Sequence, residues 1–285
     1  MPELPEVETM VRGIRESVEG RLISEFRKCP SPCKPIAMSP GIKTIRSRVL
    51  KQKIVQVRRL AKRIVLDLEN DHSFVIEPRM TGLMLLSDPP STGHLRLEWC
   101  LKKGRSLNSL WFWDRRGLGT VKLYRQSELL TELGPLKLGP DALVVSLKEL
   151  KQSFAKTSRT IKVVLLDQKV IAGIGNLYAS EILHLSQVHP EREAKRLKPN
   201  EVQALHKAMN QILKKAIRYE GSTLGDGTYR NALNQSGSYQ NEHRVYGREG
   251  ADCPSCKGAT IIRIVQSQRS TFYCPCCQDK RDTFE

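Results

Sequence analysis

The first eighteen residues carry a helical pattern of apolar positions. Apolar side chains recur at intervals of three and four residues, which is the spacing of one helix face: Val7, Met10, Val11, Ile14 and Val18. Pro5 suits the first turn of a helix, and Gly20 is a stop signal. The pattern therefore predicts an amphipathic helix over about residues 5–18.

From Leu22 to about Leu123 the pattern changes to short runs of β-type residues, separated by glycine, proline and polar turns. The clearest runs are KIVQVRRL, KRIVLDL, SFVIE, HLRLEWCL, SLWFW and TVKLY. Several short strands at this spacing predict a β-sandwich or barrel rather than a parallel sheet with crossover helices.

The second half of the chain is helical. The stretch ELGPLKLGPDAL, residues 132–143, is rich in proline and glycine and indicates a linker between domains. Four helical runs follow it: SLKELKQSFAKT, IKVVLLDQ, IGNLYASEILHLSQ and NEVQALHKAMNQILKKAIRYEG. Residues 221–241 are polar, rich in glycine and asparagine, and show little periodicity.

The net charge of the chain limits the kinds of binding partner that are expected. Forty-seven Lys and Arg residues against thirty Asp and Glu give a net charge of +17. Such an excess favours a nucleic-acid partner, because binding releases counterions from phosphates. A merely basic protein, a ribosomal protein or a membrane-surface binder remain alternatives. No apolar stretch has the length of a membrane span and no secretory signal is present, so the pattern predicts a cytoplasmic protein, in the nucleoid if it binds DNA.

The cysteines concentrate at the C-terminus. Two Cys-x-x-Cys pairs, separated by seventeen residues, can supply four thiolates to one tetrahedral zinc ion: Cys253, Cys256, Cys274 and Cys277. Between them ATIIRIV and STFY read as strands joined by the turn QSQR, which carries Arg269, so the segment predicts a zinc ribbon. Cys276 offers a rival pairing, and a cluster of free thiols is the other alternative. Four cysteine ligands leave no open position for water, which favours a structural metal.

Three other segments are candidates for DNA contact. RLAKR places Lys62 before a strand, where it serves either as a cation for phosphate or as a solvated edge residue. WDRRGLG combines Arg116 with the apolar Leu118 in a glycine-rich loop, as a duplex-opening wedge requires. In GIGNLYASE, Asn176 is predicted to cap the following helix, whose N-terminus can bind phosphate. A plain helix–turn–helix hairpin explains this last segment equally well.

MPELPEVE at the N-terminus, the lysine before a strand, GIGNLYASE and QRSTFYCPCCQ occur in that order. Together they resemble the formamidopyrimidine-DNA glycosylase family of the helix–two-turn–helix superfamily, over essentially the whole chain. Leucine at position 4 resembles the sequence of this branch, whereas the endonuclease VIII branch typically has glycine at that position. The resemblance implies an α+β fold with an N-terminal β-sandwich that begins with a catalytic helix, a helix–two-turn–helix domain and a C-terminal zinc ribbon. The implied boundaries are 1–131, a linker at 132–147, 148–241 and 242–285.

The resemblance also implies an activity. It predicts a bifunctional glycosylase and AP lyase of base excision repair, which removes oxidised purines and cuts the strand by β,δ-elimination. Once Met1 is removed, Pro2 would supply the amine for the Schiff base. Glu3 matches the acid/base carboxylate, and Glu6 matches a carboxylate that supports the terminus. The implied partner is double-stranded DNA with oxidised bases or abasic sites, bound in a cleft by a monomer, with no membrane partner.

Further residues take their roles from the same resemblance. Lys62, Asn176 and Arg269 match residues that hold phosphates, and Tyr246 lies in a segment that contacts DNA in the family. The wedge that fills the vacated space would consist of Met80, Arg116 and Leu118. Thr223 and Leu224 fit the start of the lesion-covering loop, residues 221–241.

The chain departs from the family pattern at three positions. Glu77 stands where a phosphate-facing histidine is usual and should repel DNA unless Arg79 compensates. Gly117 and Leu118 stand where arginine and phenylalanine are usual, so the wedge loses aromatic stacking. These changes keep open a non-catalytic or altered-specificity protein that binds damaged DNA on the same scaffold. An unrelated zinc-ribbon factor for RNA or transcription is the third hypothesis.

Overall fold

The computed structural model describes residues 2–280, which adopt an α+β fold. The helices are α1 (Leu4–Val18), α2 (Ile42–Val49), α3 (Gln126–Leu133), α4 (Leu147–Ala155), α5 (Ile161–Leu166), α6 (Asn176–Leu185) and α7 (Pro199–Arg218). The strands are β1 (Leu22–Lys28), β2 (Ala37–Ser39), β3 (Ile54–Leu60), β4 (Arg63–Leu68), β5 (His72–Glu77), β6 (Gly82–Leu85), β7 (Leu95–Lys103), β8 (Ser106–Asp114), β9 (Thr120–Arg125), β10 (Ile262–Gln266) and β11 (Arg269–Tyr273). None of the described helices is long and apolar enough to cross a membrane.

The first compact unit comprises Met1–Lys137 and Ala216–Gln240. It contains a four-stranded sheet in the order β1-β7-β8-β6 and a five-stranded sheet in the order β2-β9-β5-β4-β3. All neighbouring strands are antiparallel except β2 and β9, which pair in parallel. Both sheets and the apolar face of α1 contribute to one buried core. The two-sheet prediction is confirmed, and α1 is amphipathic because its apolar stripe enters this core.

Four elements escaped prediction. Helix α2 buries only Ile45 and Val49, so its apolar stripe is too short to stand out in the sequence. Strand β6 is buried at all four positions and shows no alternation. The short β2 and the mainly exposed α3 carry equally weak patterns. An apolar–polar period identifies a helix or strand only when one of its faces is buried and the other is exposed to solvent.

The second compact unit comprises Leu138–Lys215 and Asn241–Glu285. It contains α4, α5, α6 and most of α7, followed by the antiparallel hairpin of β10 and β11. The apolar stripe predicted in α7 is buried, including Val202, Leu205 and Met209. Residues 216–240 cluster with the first unit, so the segment containing Thr223 and Leu224 folds with α1. The domain boundaries inferred from the sequence stay a prediction.

The ribbon turn is tighter than the sequence suggested. Gln266 and Arg269 pair across the hairpin, and only Ser267 and Gln268 form the turn. Both turn residues have positive φ, 47° and 61°, as a two-residue hairpin of the primed type requires. Arg269 is therefore the first residue of β11 rather than part of the loop.

Candidate active site and DNA-contacting residues

Pro2 and Glu3 lie immediately before α1, and both are buried. The Glu6 carboxylate fixes this terminus. Its Oε2 accepts the Glu3 backbone N–H at 2.9 Å, and its Oε1 accepts the backbone N–H of Ser222 at 2.9 Å. Glu6 is itself only 2% exposed, and a buried carboxylate is tolerated only with such donors. One side chain thus joins the N-terminus to the segment that follows α7.

That segment fits closely against Glu6. Gly221 has a φ of +80°, and a Cβ there would lie 2.9 Å from the Glu6 Oε1, so a side chain has no room. The Tyr229 hydroxyl donates to the Glu220 carbonyl at 2.9 Å, and burial raises the pKa of this phenol well above its usual value. Thr223 donates its hydroxyl to the Tyr229 carbonyl at 2.8 Å. Thr223 therefore lies at the base of an ordered loop.

Lys62 lies in the two-residue turn between β3 and β4. Ala61 precedes it with a φ of 55°. Arg59 connects this turn to α1: its Nη1 donates to the Ala61 carbonyl at 3.0 Å, and its Nε lies 2.8 Å from Glu8 Oε2. Burial raises the pKa of Glu8, but hydrogen bonds and charge from Arg12 and Arg59 outweigh it and lower the pKa overall. The helix that follows Glu3 and the turn that carries Lys62 are thus held together by an ion pair.

The predicted wedge residues occupy two segments of the first unit. Met80 is 36% exposed and Leu118 is 47% exposed, which is high for apolar side chains. Both follow or adjoin residues with positive φ, Arg79 at 55° and Gly117 at 64°. The backbone therefore presents both apolar tips to solvent instead of to the core.

Asp114 connects both segments, and no pattern in the sequence predicts this role. Its carboxylate is fully buried and accepts the Thr81 hydroxyl, the Arg116 N–H at 3.2 Å and the Gly119 N–H at 2.8 Å. Its carbonyl accepts two N–H groups from the buried Arg96, at 2.8 and 2.6 Å. A single acidic residue thus locks the neighbour of Met80 to the loop that bears Arg116.

Glu77 does not present an uncompensated charge. Its carboxylate lies 3.3 Å from Arg63 Nη2 and 3.3 Å from Arg79 Nη2. The condition attached to the sequence expectation, compensation by Arg79, is met, and Arg63 adds a second cation. Pairing with two guanidinium groups removes most of the repulsion toward phosphate.

In the second unit, Asn176 is not a helix cap, so that prediction is wrong. The N-cap of α6 is Gly175, and Asn176 is its first helical residue. Its Oδ1 accepts from Lys162 Nζ at 2.8 Å, and its Nδ2 donates to the Ser270 carbonyl at 2.9 Å. The fully buried Lys162 also donates to Thr271 Oγ1 at 2.6 Å. Asn176 is therefore tied to β11 immediately after its first residue, Arg269.

Tyr246 belongs to the segment that enters the ribbon. The fully buried Glu181 accepts the backbone N–H groups of Arg244, Val245 and Tyr246, the last at 2.8 Å. Burial raises the pKa of Glu181, and the three donors oppose that rise. The Tyr246 ring packs edge-on against Phe272, with centroids 5.3 Å apart. Tyr246 is therefore fixed on the ribbon.

Four cysteine sulfurs converge in the ribbon, all within 4.8 Å of one another: Cys253, Cys256, Cys274 and Cys277. The Sγ atoms of Cys253 and Cys277 are 3.8 Å apart, and those of Cys256 and Cys274 are 3.7 Å apart. Zinc–sulfur bonds of about 2.3 Å give a tetrahedral edge of about 3.8 Å, so the spacing fits zinc. The exposed Cys276 lies outside this group.

The residues that sequence reasoning missed are those that hold others in place: Asp114, Arg96, Lys162 and Glu181. Asp114 contacts Thr81 across 33 residues of sequence, and Lys162 contacts Thr271 across 109. No local pattern marks such pairs. Their one signal is an ionisable residue inside an otherwise apolar run, as in IKVVLL and YASEIL.

Comparison with known proteins agrees with this arrangement. The family model of the formamidopyrimidine-DNA glycosylase N-terminal domain matches residues 1–121, and that of the formamidopyrimidine-DNA glycosylase H2TH domain matches residues 138–227. The model of the zinc finger found in FPG and IleRS matches residues 253–280. Together these matches cover far more than half of the chain.

Individual relatives give the same result. The formamidopyrimidine-DNA glycosylase of Herpetosiphon aurantiacus is 38% identical, over 98% of this chain and 100% of the relative. The Lactococcus lactis Fpg in complex with abasic-site DNA superposes with a TM-score of 0.86 at 30% identity, covering 98% of this chain and 100% of that one. A variant of that enzyme bound to Fapy-dG DNA gives a TM-score of 0.86 at 31% identity, with the same coverage. The chain therefore belongs to the formamidopyrimidine-DNA glycosylase family.

Proposed function

We propose that this DNA glycosylase is bifunctional: it removes oxidised purines, 8-oxoguanine and formamidopyrimidines, and then cleaves the strand as an AP lyase. The glycosylase activity follows from the family, whose members match along the whole chain. The lyase proposal rests on how the N-terminus is held in the structure. Pro2 and the buried Glu3 are held by the Glu6 carboxylate, which accepts the Glu3 N–H at 2.9 Å.

The proposed nucleophile is the secondary amine of Pro2. Met1 lies outside the described residues, and its removal is part of the proposal because an acylated proline has no free amine. An α-amino group has a pKa of about 7.7–8.0, so a useful fraction is neutral near pH 7. The nitrogen attacks C1′, the bond from C1′ to the damaged base breaks, and the base leaves with the proton that the proline nitrogen gives up. Glu3 protonates the ring oxygen, which opens the sugar and leaves an iminium.

The iminium makes strand cleavage possible. Its positive charge acidifies the C2′ proton, and loss of that proton expels the 3′ phosphate by β-elimination. A second elimination expels the 5′ phosphate and leaves a gap of one nucleotide. Glu3 is suited to carry these protons because it is buried beside the amine. Glu6 would position the N-terminus rather than transfer protons, because both of its carboxylate oxygens already accept backbone N–H groups.

The proposed partner is double-stranded DNA that contains oxidised bases or abasic sites. A net charge of +17 supports this choice. Lys62, Asn176 and Arg269 would hold phosphates, with Tyr246 as a further contact. A flipped nucleotide leaves a gap in the stack. Residues with exposed tips on rigid loops would fill it: Met80, Arg116 and Leu118. Thr223 and Leu224 would begin the loop that covers the lesion.

The metal, assembly and location follow from the same proposal. One structural zinc ion would be bound by the four clustered cysteines, whose spacing fits a tetrahedron. The residues required for chemistry all lie in one chain, which supports a monomer. The enzyme would work in the cytoplasm, on the nucleoid, where its DNA substrate lies.

Borohydride trapping on abasic-site DNA tests the mechanism. Protein with a free Pro2 should form a covalent adduct, whereas the same protein with a tag fused before Met1 should form none. The matched control carries that tag at the C-terminus and should trap normally. If the N-terminally tagged protein traps, the terminal amine is not the nucleophile; if Pro2→Gly, which keeps a primary terminal amine, traps as well as the native protein, the secondary amine of proline is not required. Cleavage of a panel of oligonucleotides with 8-oxoguanine, formamidopyrimidine and oxidised pyrimidines then ranks the lesions.

A further inference from the structure

A cluster of two cysteines and a histidine lies in the first unit. We call Cys29, Cys33 and His94 the thiol cluster. Both cysteines line one cavity of about 70 Å³, whose wall also includes Ile36 and Arg96. Each cysteine is partly buried. The cavity is large enough for a small molecule such as a peroxide, since a water needs only roughly 10–15 Å³ of such volume.

The imidazole is placed to accept the thiol proton. Cys33 Sγ lies 3.4 Å from His94 Nδ1. The His94 ring is held edge-on by Trp113, with centroids 5.6 Å apart. The Cys33 N–H donates to Ser31 Oγ at 3.3 Å, and Ser31 donates to the Gly93 carbonyl at 2.6 Å. The segment that carries the thiol is therefore bonded to the residue before His94, which fixes the pair.

The two cysteines differ in their surroundings. Burial and the charge of Glu98 raise the pKa of Cys29 to about 11, so Cys29 stays a neutral thiol. Cys33 faces a nitrogen base instead. Arg96 adds positive charge nearby, because its Nη1 donates to Ser31 Oγ at 3.4 Å and to the Lys34 carbonyl at 3.2 Å. A base and a cation are the surroundings that make a cysteine nucleophilic.

We propose that Cys33 is a hydroperoxide-sensitive modification site, with His94 as its proton acceptor and Cys29 as the thiol that resolves the product. In the tautomer with hydrogen on Nε2, His94 Nδ1 takes the Cys33 proton. The sulfur attacks one peroxide oxygen, so that an S–O bond forms and the O–O bond breaks. The second oxygen leaves as alcohol or water with the proton from the imidazolium. Cys33 is oxidised to a sulfenic acid and the peroxide is reduced.

The second step closes the ring. The Cys29 sulfur displaces the hydroxyl group on Cys33, so that an S–S bond forms and the S–O bond breaks. The Cys29 proton leaves with the hydroxyl as water. The site lies beside the Arg116 loop, since Arg96 joins Lys34 to the Asp114 carbonyl. The chemistry itself needs no glycosylase activity, so it stands or fails independently of the proposed function.

Cys100 provides an internal control. It is partly buried like Cys33, but burial and the charge of Glu98 raise its pKa to about 11. Its sulfur lies 3.9 Å from a Glu25 carboxylate oxygen rather than beside an imidazole. Trypsin separates the two sites, since Lys34 precedes a proline and resists cleavage. The peptide of residues 29–43 contains both cluster cysteines, and the peptide of residues 97–102 contains Cys100.

The experiment treats the full-length, zinc-loaded protein with hydrogen peroxide, alkylates the remaining thiols and measures both peptides by mass spectrometry. Peptide 29–43 should lose two hydrogens and take no alkyl group, at a rate at least about tenfold above that of Cys100 oxidation. His94→Phe keeps a ring against Trp113 but removes the base, and should slow this rate at least about tenfold with Cys100 unchanged. In Cys29→Ser, dimedone should capture a sulfenic acid on Cys33.

Three results would overturn the proposal. They are oxidation of Cys33 no faster than Cys100, an unchanged rate in His94→Phe, and no dimedone adduct in Cys29→Ser. If His94→Phe also accelerates Cys100 oxidation, the fold has been disturbed, and His94→Gln is then judged by the same criterion. Far-UV circular dichroism identifies which of the two variants is folded.

Discussion

Replacing Asp114 by asparagine tests whether one buried carboxylate holds the wedge segments. The side chain is fully buried and accepts three hydrogen bonds, from the Thr81 hydroxyl and from the N–H groups of Arg116 and Gly119. Asparagine has nearly the same shape but only one acceptor oxygen. If its amide NH₂ faces Gly119, that buried N–H loses its partner. If it faces the Thr81 hydroxyl, the Arg116 N–H keeps only its 2.9 Å bond to Thr81 Oγ1, and in both cases the remaining bonds are no longer made to a charged group.

The structure sets the size of the effect. A hydrogen bond to a charged group contributes about 1.5–3 kcal/mol, and an unsatisfied buried donor costs about 1–3 kcal/mol. Since one acceptor survives, we expect Asp114→Asn to lower the free energy of unfolding of the first unit by about 2–4 kcal/mol. With a urea dependence of about 2 kcal/mol per M, the midpoint should fall by about 1–2 M.

Tryptophan fluorescence measures this unit selectively, because the three tryptophans of the chain all belong to it: Trp99, Trp111 and Trp113. Asp88→Asn is the matched control, since Asp88 is exposed, and it should shift the midpoint by less than about 0.3 M. Release of 8-oxoguanine should also slow, because the backbone of the proposed wedge residue Arg116 loses a hydrogen bond to a charged acceptor. An unchanged urea midpoint in Asp114→Asn would refute the reasoning.

Four further predictions follow from named contacts. Glu6→Gln should slow borohydride trapping about 10- to 100-fold with DNA affinity unchanged, because the N-terminus loses one of its two fixed links. Cys277→Ser or removal of zinc by a chelator should abolish DNA binding while leaving tryptophan fluorescence unchanged, because the ribbon belongs to the other unit. Arg269→Ala should weaken binding to intact and damaged DNA alike and reduce the salt slope by about one. Burial alone would raise the pKa of Glu8, but hydrogen bonds and charge from Arg12 and Arg59 outweigh burial and lower the pKa below its usual 4.5. Its stabilising effect is therefore complete above pH 4.5 and lost as the pH falls through the folded value, so Glu8→Gln should flatten the acid limb of the melting temperature.

Each of these has a control variant at a residue of the same type nearby in the sequence. Glu16→Gln lies on the exposed face of α1 and should alter neither trapping nor the acid limb. Cys276→Ser should retain zinc, because that thiol lies outside the four-sulfur group. Arg263→Ala removes a guanidinium that lies 3.8 Å from Glu249, and should leave the salt slope nearly unchanged. If a control behaves like its partner variant, the corresponding contact does not have the effect assigned to it.

Local patterns predicted most of the architecture. The apolar stripe of α1 and the period-two runs from Leu22 onward are properties of neighbouring residues, so they can be recognised without tertiary contacts. The same holds for the zinc ribbon, whose Cys-x-x-Cys spacing sets the ligand geometry over a few residues. The missed elements, α2, β2, β6 and α3, are short, and burial in them is either slight or complete.

The residues of the candidate site also fall into those that short motifs predict and those whose contacts depend on the fold. Resemblance to the family assigned Pro2 and Glu3 to the reaction and Lys62 to phosphate binding. These assignments depend on short sequence motifs. Asn176 was expected to cap its own helix, but its amide bonds instead to Lys162 and to a carbonyl in β11, 94 residues away. A polar side chain chooses among all donors and acceptors within reach, and most of these are set by the fold.

The sequence by itself thus determined which residue types are available: a proline after Met1, a pair of carboxylates, an excess of positive charge and four cysteines at zinc-finger spacing. Only the tertiary structure decided which groups hold them. It brought Glu6 to the backbone of Ser222, Asp114 to Thr81 and Arg96, and Cys33 to His94. The physical reason is that each such contact joins residues distant in sequence, and burial makes each polar group find a partner. That partner is set by how the chain packs and not by its neighbours along the chain.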